Sequence, residues 1–280
     1  MGLMNIETVD YKAPDAKQSL ARSLHTTGFA VLANHPITPE RIDSIYQSWG
    51  NFFASDEKHD YLRDPENQDG YFPFRSENAK GQVVKDLKEF YHVYTWGRVP
   101  ASLEEETRAI HRDLTKLGTE LLGWLQDETP DEVASKFTMP LDVMMGESLM
   151  SLLRILHYPP LEKAVEEGAI RAAAHEDINL ITLLLAGSQP GLQAQDKQGV
   201  WHDISCDAGM ITINNGDMLS LASHDYFPST THRVVNPDAS ANQSRYSMPI
   251  FLHPRPDVML DKDFSAGAFL QQRLKEIGLK

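Results

Sequence analysis

The chain has 280 residues, of which 41% are hydrophobic and 24% charged, a composition typical of a soluble globular protein with a substantial core. Its 26 basic and 40 acidic residues give a formal charge of −14, which argues against nucleic acid or an anionic membrane as the main partner. The single cysteine, Cys206, excludes an intrachain disulfide and a cysteine-based metal site. Together with an N-terminal stretch that lacks the pattern of a secretion signal, it favours a cytoplasmic protein.

The first half of the sequence is predicted to be mainly helical, with one early strand. Asp15 can cap a helix that ends before Gly28, and residues 29–32 indicate a short strand. Thr38 followed by Pro39 is typical of a second helix start. Residues 61–100 show no clear period. Apolar residues at helical spacing predict a long helix from about 103 to 126.

From residue 152 onward the apolar residues alternate with a period of two, which predicts strands. The expected strands are 152–158, 171–185, 200–205, 210–214, 230–235 and 245–253, followed by a helix over 265–278. Asn215-Gly216 is a hairpin-turn signal. Many short strands in succession favour an antiparallel barrel or jelly roll. We expect one domain over 1–280, with a helical leading region to about 145, a core over about 146–260 and a C-terminal helix over about 261–280.

A metal site is suggested by the motif His-x-Asp, which occurs at 111–113 and at 175–177. The first copy lies in the predicted long helix, where residues i and i+2 point about 200° apart and cannot share a ligand. The second lies in a strand-like stretch, where His175 and Asp177 project from one face and can reach one ion. A hydrogen-bonded pair without metal is the alternative.

The third ligand is predicted to be His232, in the strand expected at 230–235, with His224 and His253 as rivals. Two imidazoles and a carboxylate leave three positions of an octahedral metal open, which suits iron(II) binding a cosubstrate and dioxygen together. Zinc on the same donors, supporting hydrolysis through a bound water, is the competing assignment.

A carboxylate-binding site is suggested by Arg-x-Ser, which occurs once, at Arg245 and Ser247. The period of two places both side chains on one strand face, and a buried guanidinium is costly unless an anion meets it. A dicarboxylic keto acid could therefore bridge the metal and Arg245; a structural ion pair is the alternative. The hydroxyl of Tyr158 could reach the same carboxylate, or Tyr158 could simply be a strand aromatic.

In their order and spacing, these motifs resemble the isopenicillin N synthase-like family of iron(II)/2-oxoglutarate-dependent oxygenases over nearly the whole chain. The matching segments are His-Tyr-Pro-Pro at 157–160, Ala-His-Glu-Asp at 174–177, Pro-Gly-Leu-Gln at 190–193, Asn-Asn-Gly-Asp at 214–217, His-Arg-Val-Val-Asn at 232–236 and Arg-Tyr-Ser-Met-Pro at 245–249. The resemblance implies a mostly β fold with flanking helices, the double-stranded β-helix or distorted jelly roll. It implies His175, Asp177 and His232 as iron ligands and Arg245, Ser247 and Tyr158 as cosubstrate-binding residues.

The implied reaction consumes dioxygen and 2-oxoglutarate, releases succinate and carbon dioxide, and oxidises a small organic substrate by hydroxylation, desaturation or ring closure. Phe251 shares the face of Arg245 and is predicted to contact the substrate. Tyr71, Phe74 and Arg75 could bind the substrate as part of a lid, or pack as an ordinary loop. One departure from the family is Leu156, where many plant members have asparagine.

Three other functions fit the same residues. Isopenicillin N synthase itself uses the Arg-x-Ser motif for a substrate carboxylate and needs no 2-oxoglutarate. The chain could therefore be an iron(II) oxidase without a keto acid. A zinc-dependent hydrolase and a non-catalytic binding protein on the same fold are the other two.

Overall fold

The computed structural model describes residues 4–77, 84–161 and 168–276. The strands are β1 Thr8–Asp10, β2 Phe29–Ala33, β3 Gly70–Phe72, β4 Glu89–Val93, β5 Leu152–Tyr158, β6 Ala172–His175, β7 Ile181–Leu185, β8 Leu192–Gln195, β9 Trp201–Asp203, β10 Ile211–Asn215, β11 His232–Val234 and β12 Arg245–Leu252. The helices are α1 Ala16–Thr27, α2 Pro39–Ala54, α3 Glu104–Glu128, α4 Asp131–Ala134, α5 Asp217–Ala222 and α6 Ala266–Glu276.

Two sheets form the core of the molecule. The main sheet has eight strands in the order β1-β2-β10-β7-β12-β5-β4-β3, and the small sheet has four in the order β6-β11-β8-β9. The strands pair antiparallel, apart from the parallel pair of β1 and β2. A buried apolar cluster joins the facing sides of both sheets; it includes Phe29, Phe90, Leu156, Ala172, Leu192 and Val234. This two-sheet jelly roll confirms the predicted fold class.

The alternation of side chains along β12 divides its residues between two cores. Met248, Ile250 and Leu252 pack with the helices on the outer face of the main sheet. Arg245 and Ser247 therefore project from the opposite face, toward the small sheet. The predicted face of β12 is confirmed, and it directs the Arg-x-Ser motif into the interior of the jelly roll.

Three helices cover the outer face of the main sheet. The apolar residues of α2 and the apolar stripe predicted for α3 are buried there, including Trp49 and Leu114. Thr38 caps α2 by accepting a hydrogen bond from the backbone N–H of Arg41. At the end of α1, Gly28 has φ of 74°, and a Cβ there would lie 2.2 Å from Oγ1 of Thr230. This glycine allows a left-handed turn and a close contact together.

The structure corrects three expectations. The leading region contributes four strands and not one, because β1 has only three residues, while β3 and β4 are buried at every residue and show no alternation. The expected strand 171–185 is divided into β6 and β7 by a loop at 176–180. Asn215 ends β10 and Gly216 is the N-cap residue of α5, so the pair does not form a hairpin turn. The last helix is confirmed to Glu276, and residues 277 and 278 lie outside the described residues.

Across the described ranges, we find no helix with both the length and the apolar character needed to cross a bilayer.

Candidate metal and cosubstrate site

The three predicted metal ligands converge at the open end of the small sheet. His175 ends β6 and is the direct antiparallel partner of His232, the first residue of β11. Asp177 follows two residues later, in the loop before β7. One ligand atom from each lies within 4.8 Å of the others, the only such cluster among the described His, Cys, Asp and Glu residues. The spacing fits a single small metal ion.

Backbone carbonyls orient the two imidazoles. Nδ1 of His175 lies 2.7 Å from the carbonyl oxygen of Ala173, and Nδ1 of His232 lies 3.1 Å from that of Thr230. Because a carbonyl can only accept, the ring proton of each histidine is on Nδ1, and Nε2 carries the free lone pair. The Nε2 atoms lie 3.8 Å and 3.7 Å from Oδ1 of Asp177, respectively. Both histidines are thus prepared to bind metal through Nε2.

The carboxylate of Asp177 is oriented by two hydrogen bonds to its other oxygen. Thr182 Oγ1 donates to Oδ2 over 2.6 Å, and Asn214 Nδ2 donates to the same atom over 2.8 Å. Oδ1 is left facing the histidines. Burial opposes ionisation of Asp177, but the imidazoles of His232 and His175 and these two donors outweigh it and lower its pKa.

Desolvation, followed by the proximity of His232, lowers the pKa of His175 to about 4. The imidazole of His175 is therefore neutral at pH 7, as a metal ligand must be.

The two donors to Asp177 offer a test of the site. We expect Asn214→Ala to weaken iron(II) binding about 10- to 100-fold, the usual effect of losing a hydrogen bond that orients a ligand. Anaerobic iron(II) titration measures it. Gln193→Ala is a matched control, since Gln193 donates to Asp203, a carboxylate of the small sheet outside the cluster. Equal iron affinity in both variants would contradict this role of Asn214.

The rival histidines take other positions. His253 is not part of the metal cluster; its Nδ1 lies 3.2 Å from the carbonyl oxygen of Phe251, and burial lowers its pKa to about 4. His224 is exposed and has a left-handed backbone with φ of 50°. His111 is buried in α3, with Nε2 3.1 Å from the carbonyl oxygen of Ser151.

The predicted carboxylate-binding residues lie together on neighbouring strands of the main sheet. Arg245 in β12 pairs with Tyr158 in β5, and its guanidinium carbon lies 5.2 Å from the centre of the tyrosine ring. Arg245, Ser247 and Tyr158 are each 3% exposed or less. Arg245 donates through Nε to the carbonyl oxygen of Gln189, while its Nη1 has no hydrogen-bond partner among the described residues. A buried cation with a free N–H group indicates an anion-binding site.

The comparisons with known proteins point to one family of enzymes. Residues 149–254 match the family model described as the 2OG-Fe(II) oxygenase superfamily, and residues 5–113 match one described as non-haem dioxygenase in morphine synthesis N-terminal. A proposed oxygenase from Shewanella oneidensis is 48% identical, with a TM-score of 0.89 over 99% of this chain and 100% of that one. A proposed 2OG-Fe(II) oxygenase family protein from Caulobacter crescentus is 32% identical, with a TM-score of 0.80 over 97% and 99%.

The chain belongs to the 2OG-Fe(II) oxygenase superfamily. Among plant relatives, gibberellin 2-beta-dioxygenase 3 of Arabidopsis thaliana is 27% identical over 267 residues, which cover 89% of this chain and 75% of the plant protein.

This oxygenase is accordingly a non-haem iron(II) enzyme that uses 2-oxoglutarate and dioxygen to oxidise a small molecule. The donor set fits the metal, since two imidazoles and one carboxylate leave positions for a keto acid and dioxygen. The family resemblance inferred from the motifs is confirmed. A zinc hydrolase, a keto-acid-independent oxidase and a non-catalytic binding protein are not favoured.

A cavity of about 500 Å³ opens beside His175 and Asp177 in this oxygenase. Phe251, predicted to contact the substrate, lines it, together with Leu152, Ile178 and Leu270. A mainly apolar wall next to the metal ligands is suited to holding a substrate C–H bond near the metal.

The other three predicted substrate residues are not among the described lining of this cavity. Tyr71 is 2% exposed, and its hydroxyl donates to Glu89 in the core. Phe74 is 43% exposed. Arg75 follows it with a left-handed backbone, φ 61°. Their role in binding stays a prediction.

The cavity also has a charged wall that was not predicted, made of Glu77, Asp86, Lys88 and Arg154. Lys88 Nζ lies 2.9 Å from Glu77 Oε2 and 2.8 Å from Asp86 Oδ2. Arg154 lies 3.2 Å from the same oxygen of Glu77. Two cations and two anions balance one another. A sequence gives little signal for this wall, because three of its members lie in the segment 61–100, which shows no clear period, and Arg154 lies in a separate strand.

Proposed function

We propose that His175, Asp177 and His232 hold the iron(II) of this oxygenase, and that Arg245, Ser247 and Tyr158 bind the distal carboxylate of 2-oxoglutarate. The proposal is carried by the convergence of three ligand atoms within 4.8 Å, together with a buried guanidinium, that of Arg245, whose Nη1 has no hydrogen-bond partner among the described residues. When bound, iron(II) supplies the oxidising chemistry with dioxygen and 2-oxoglutarate, which leaves as succinate and carbon dioxide.

The protein's own residues orient the metal ligands and exclude water from the keto-acid pocket. Asn214 and Thr182 fix the carboxylate of Asp177, and backbone carbonyls fix the two imidazoles. Arg245, Ser247 and Tyr158 are buried, and Tyr158 belongs to the apolar cluster between the sheets, so that charged contacts there act with little competition from water.

The substrate is proposed to occupy the cavity beside His175 and to contact Phe251. The charged wall already has its charges paired, so a neutral small molecule with polar groups fits it better than an ion. A net charge of −14 supports a protein that does not act on nucleic acid, and we propose a cytoplasmic location.

The decisive experiment is anaerobic titration of the iron(II)-loaded protein with 2-oxoglutarate. We expect a visible charge-transfer band that saturates at one keto acid per protein, and oxygen-dependent release of succinate. A band that never forms, together with turnover that needs no keto acid, would replace the proposal with an oxidase that binds a substrate carboxylate at Arg245.

Arg245→Gln separates the keto-acid pocket from the metal site. We expect the dissociation constant of 2-oxoglutarate to rise about 10- to 100-fold, because a charge-assisted hydrogen bond is lost in a dry pocket. Iron(II) affinity should change little. Arg233→Gln is the matched control, since Arg233 is a half-buried arginine that lies over the ring of Trp201 instead. An unchanged constant for Arg245→Gln would place the distal carboxylate elsewhere.

A further inference from the structure

We propose that Arg171 is a second cationic residue of the 2-oxoglutarate pocket, so that the distal carboxylate is held by two guanidinium groups, those of Arg171 and Arg245. This inference rests on the proposed function. Arg171 directly precedes β6, the strand that ends at His175, and no sequence motif singled it out.

Arg171 is buried beside the residues of the pocket. Its side chain is among the largest that are fully buried, with 1% of the residue exposed. Its guanidinium carbon lies 5.9 Å from the centre of the Tyr158 ring, and that of Arg245 lies 5.2 Å from the same ring. Both cations therefore border Tyr158, the residue whose hydroxyl is proposed to meet the carboxylate.

Neither guanidinium has an anionic partner among the described residues. The ion pairs of the described chain include neither Arg171 nor Arg245. Burial, and then the charge of Arg245, lowers the pKa of Arg171. Two buried like charges are unfavourable by themselves, and an anion between them would remove the cost.

Each guanidinium is anchored by one carbonyl and keeps a free donor. Arg171 donates through Nη2 to the carbonyl oxygen of Gln243 over 2.7 Å, and its Nε has no partner within the described part of the chain. Arg245 donates through Nε to the carbonyl oxygen of Gln189, and its Nη1 likewise has no partner among the residues that the structure describes. A purely structural arginine would use its donors on the protein. The pattern is that of two oriented donors that are available to bind a ligand.

Backbone packing supports the same placement. A Cβ on Gly187 would lie 2.9 Å from Nη2 of Arg245, so glycine leaves room for the guanidinium. Tyr158, which both guanidinium groups border, and Leu156, the strand partner of Ser247, belong to the apolar cluster between the sheets. A carboxylate there has few partners other than the two arginines, Ser247 and Tyr158, so the pocket should discriminate strongly between dicarboxylic and monocarboxylic keto acids.

The test compares the binding of 2-oxoglutarate with that of 2-oxopentanoate, a keto acid of the same chain length that has a methyl group in place of the distal carboxylate. Calorimetric titration of the full-length, iron(II)-loaded protein without oxygen gives both dissociation constants. We expect Arg171→Gln to raise the dissociation constant of 2-oxoglutarate about 10- to 100-fold and to change that of 2-oxopentanoate less than about twofold. Arg233→Gln is the control and should change neither.

Two outcomes would overturn the inference. One is unchanged binding of 2-oxoglutarate by Arg171→Gln; the other is equal weakening of both keto acids, which indicates that Arg171 only supports the Gln243 segment. If Arg171→Gln does not fold, Arg171→Lys keeps the charge but loses the planar fork, and a selective, smaller loss for 2-oxoglutarate is expected. Failure of the wild-type protein to bind 2-oxoglutarate would instead refute the proposed function.

Discussion

Asp177→Ala is expected to abolish iron(II) binding and turnover. The substitution removes the one anionic ligand and leaves the donors of Thr182 and Asn214 without their acceptor. Loss of a residue that merely orients a ligand costs about 10- to 100-fold in metal affinity, so loss of the ligand itself should exceed about 100-fold. Anaerobic iron(II) titration and succinate release measure the two effects.

Asp196→Ala is the matched control for Asp177→Ala. Asp196 also interacts with an imidazole, at 2.7 Å from Nε2 of His202, but neither residue belongs to the metal cluster. The control should retain iron and activity. If Asp177→Ala bound one iron(II) with wild-type affinity, the assignment of all three ligands would be wrong.

The sequence predicted the group of metal ligands from the rule that residues i and i+2 of a strand share one face, and that rule holds only in part. His175 lies in a strand as expected, but Asp177 lies beyond it, in the loop at 176–180. What fixes this loop is the segment Asn214 to Asp217: the N–H of Asp217 donates to the carbonyl oxygen of Asp177 over 2.7 Å. A Cβ on Gly216 would lie 2.2 Å from the carbonyl oxygen of Asn179.

The Asn-Gly pair therefore reflects a close contact with the ligand loop, not a hairpin. The residue types of a turn predict only its local backbone conformation. They do not predict a contact between two segments about 37 residues apart.

Charged residues of the interior were the least predictable part of the site. Arg154 and Arg171 lie in or next to strands, where an arginine is normally expected to face solvent. Their burial depends on partners from other parts of the chain: Glu77 for Arg154, and an anion proposed to come from the ligand for Arg171. The inward position of Arg245 was predicted because its serine neighbour completed a recognisable motif, and its role in binding a carboxylate stays a proposal. The isolated arginines had no such neighbour.

The charged wall of the cavity is expected to matter for stability as well as for the substrate. The side chains of Glu77 and Lys88 are 15% and 8% exposed, and Glu77 neutralises both Lys88 and Arg154. We expect Glu77→Gln to lower the free energy of unfolding at pH 7 by about 3 kcal/mol, the lower end for breaking a buried ion pair, because Lys88 retains Asp86. Urea denaturation measures the loss. Glu104→Gln, which removes an exposed partner of Arg108 on α3, should cost less than about 0.5 kcal/mol.

The pH dependence gives this prediction a second, independent check. Burial opposes ionisation of Glu77, but the charges of Arg154 and Lys88 outweigh it and hold its pKa well below the usual 4.5. The folded protein thus keeps the carboxylate charged at a pH where the unfolded chain already binds a proton. The stabilisation is complete above about pH 4.5 and decreases as the pH falls further, so the difference between wild type and Glu77→Gln should narrow in acid. A difference that stayed constant from pH 7 to pH 3.5 would mean that the lost stability comes from packing and not from the charge of Glu77.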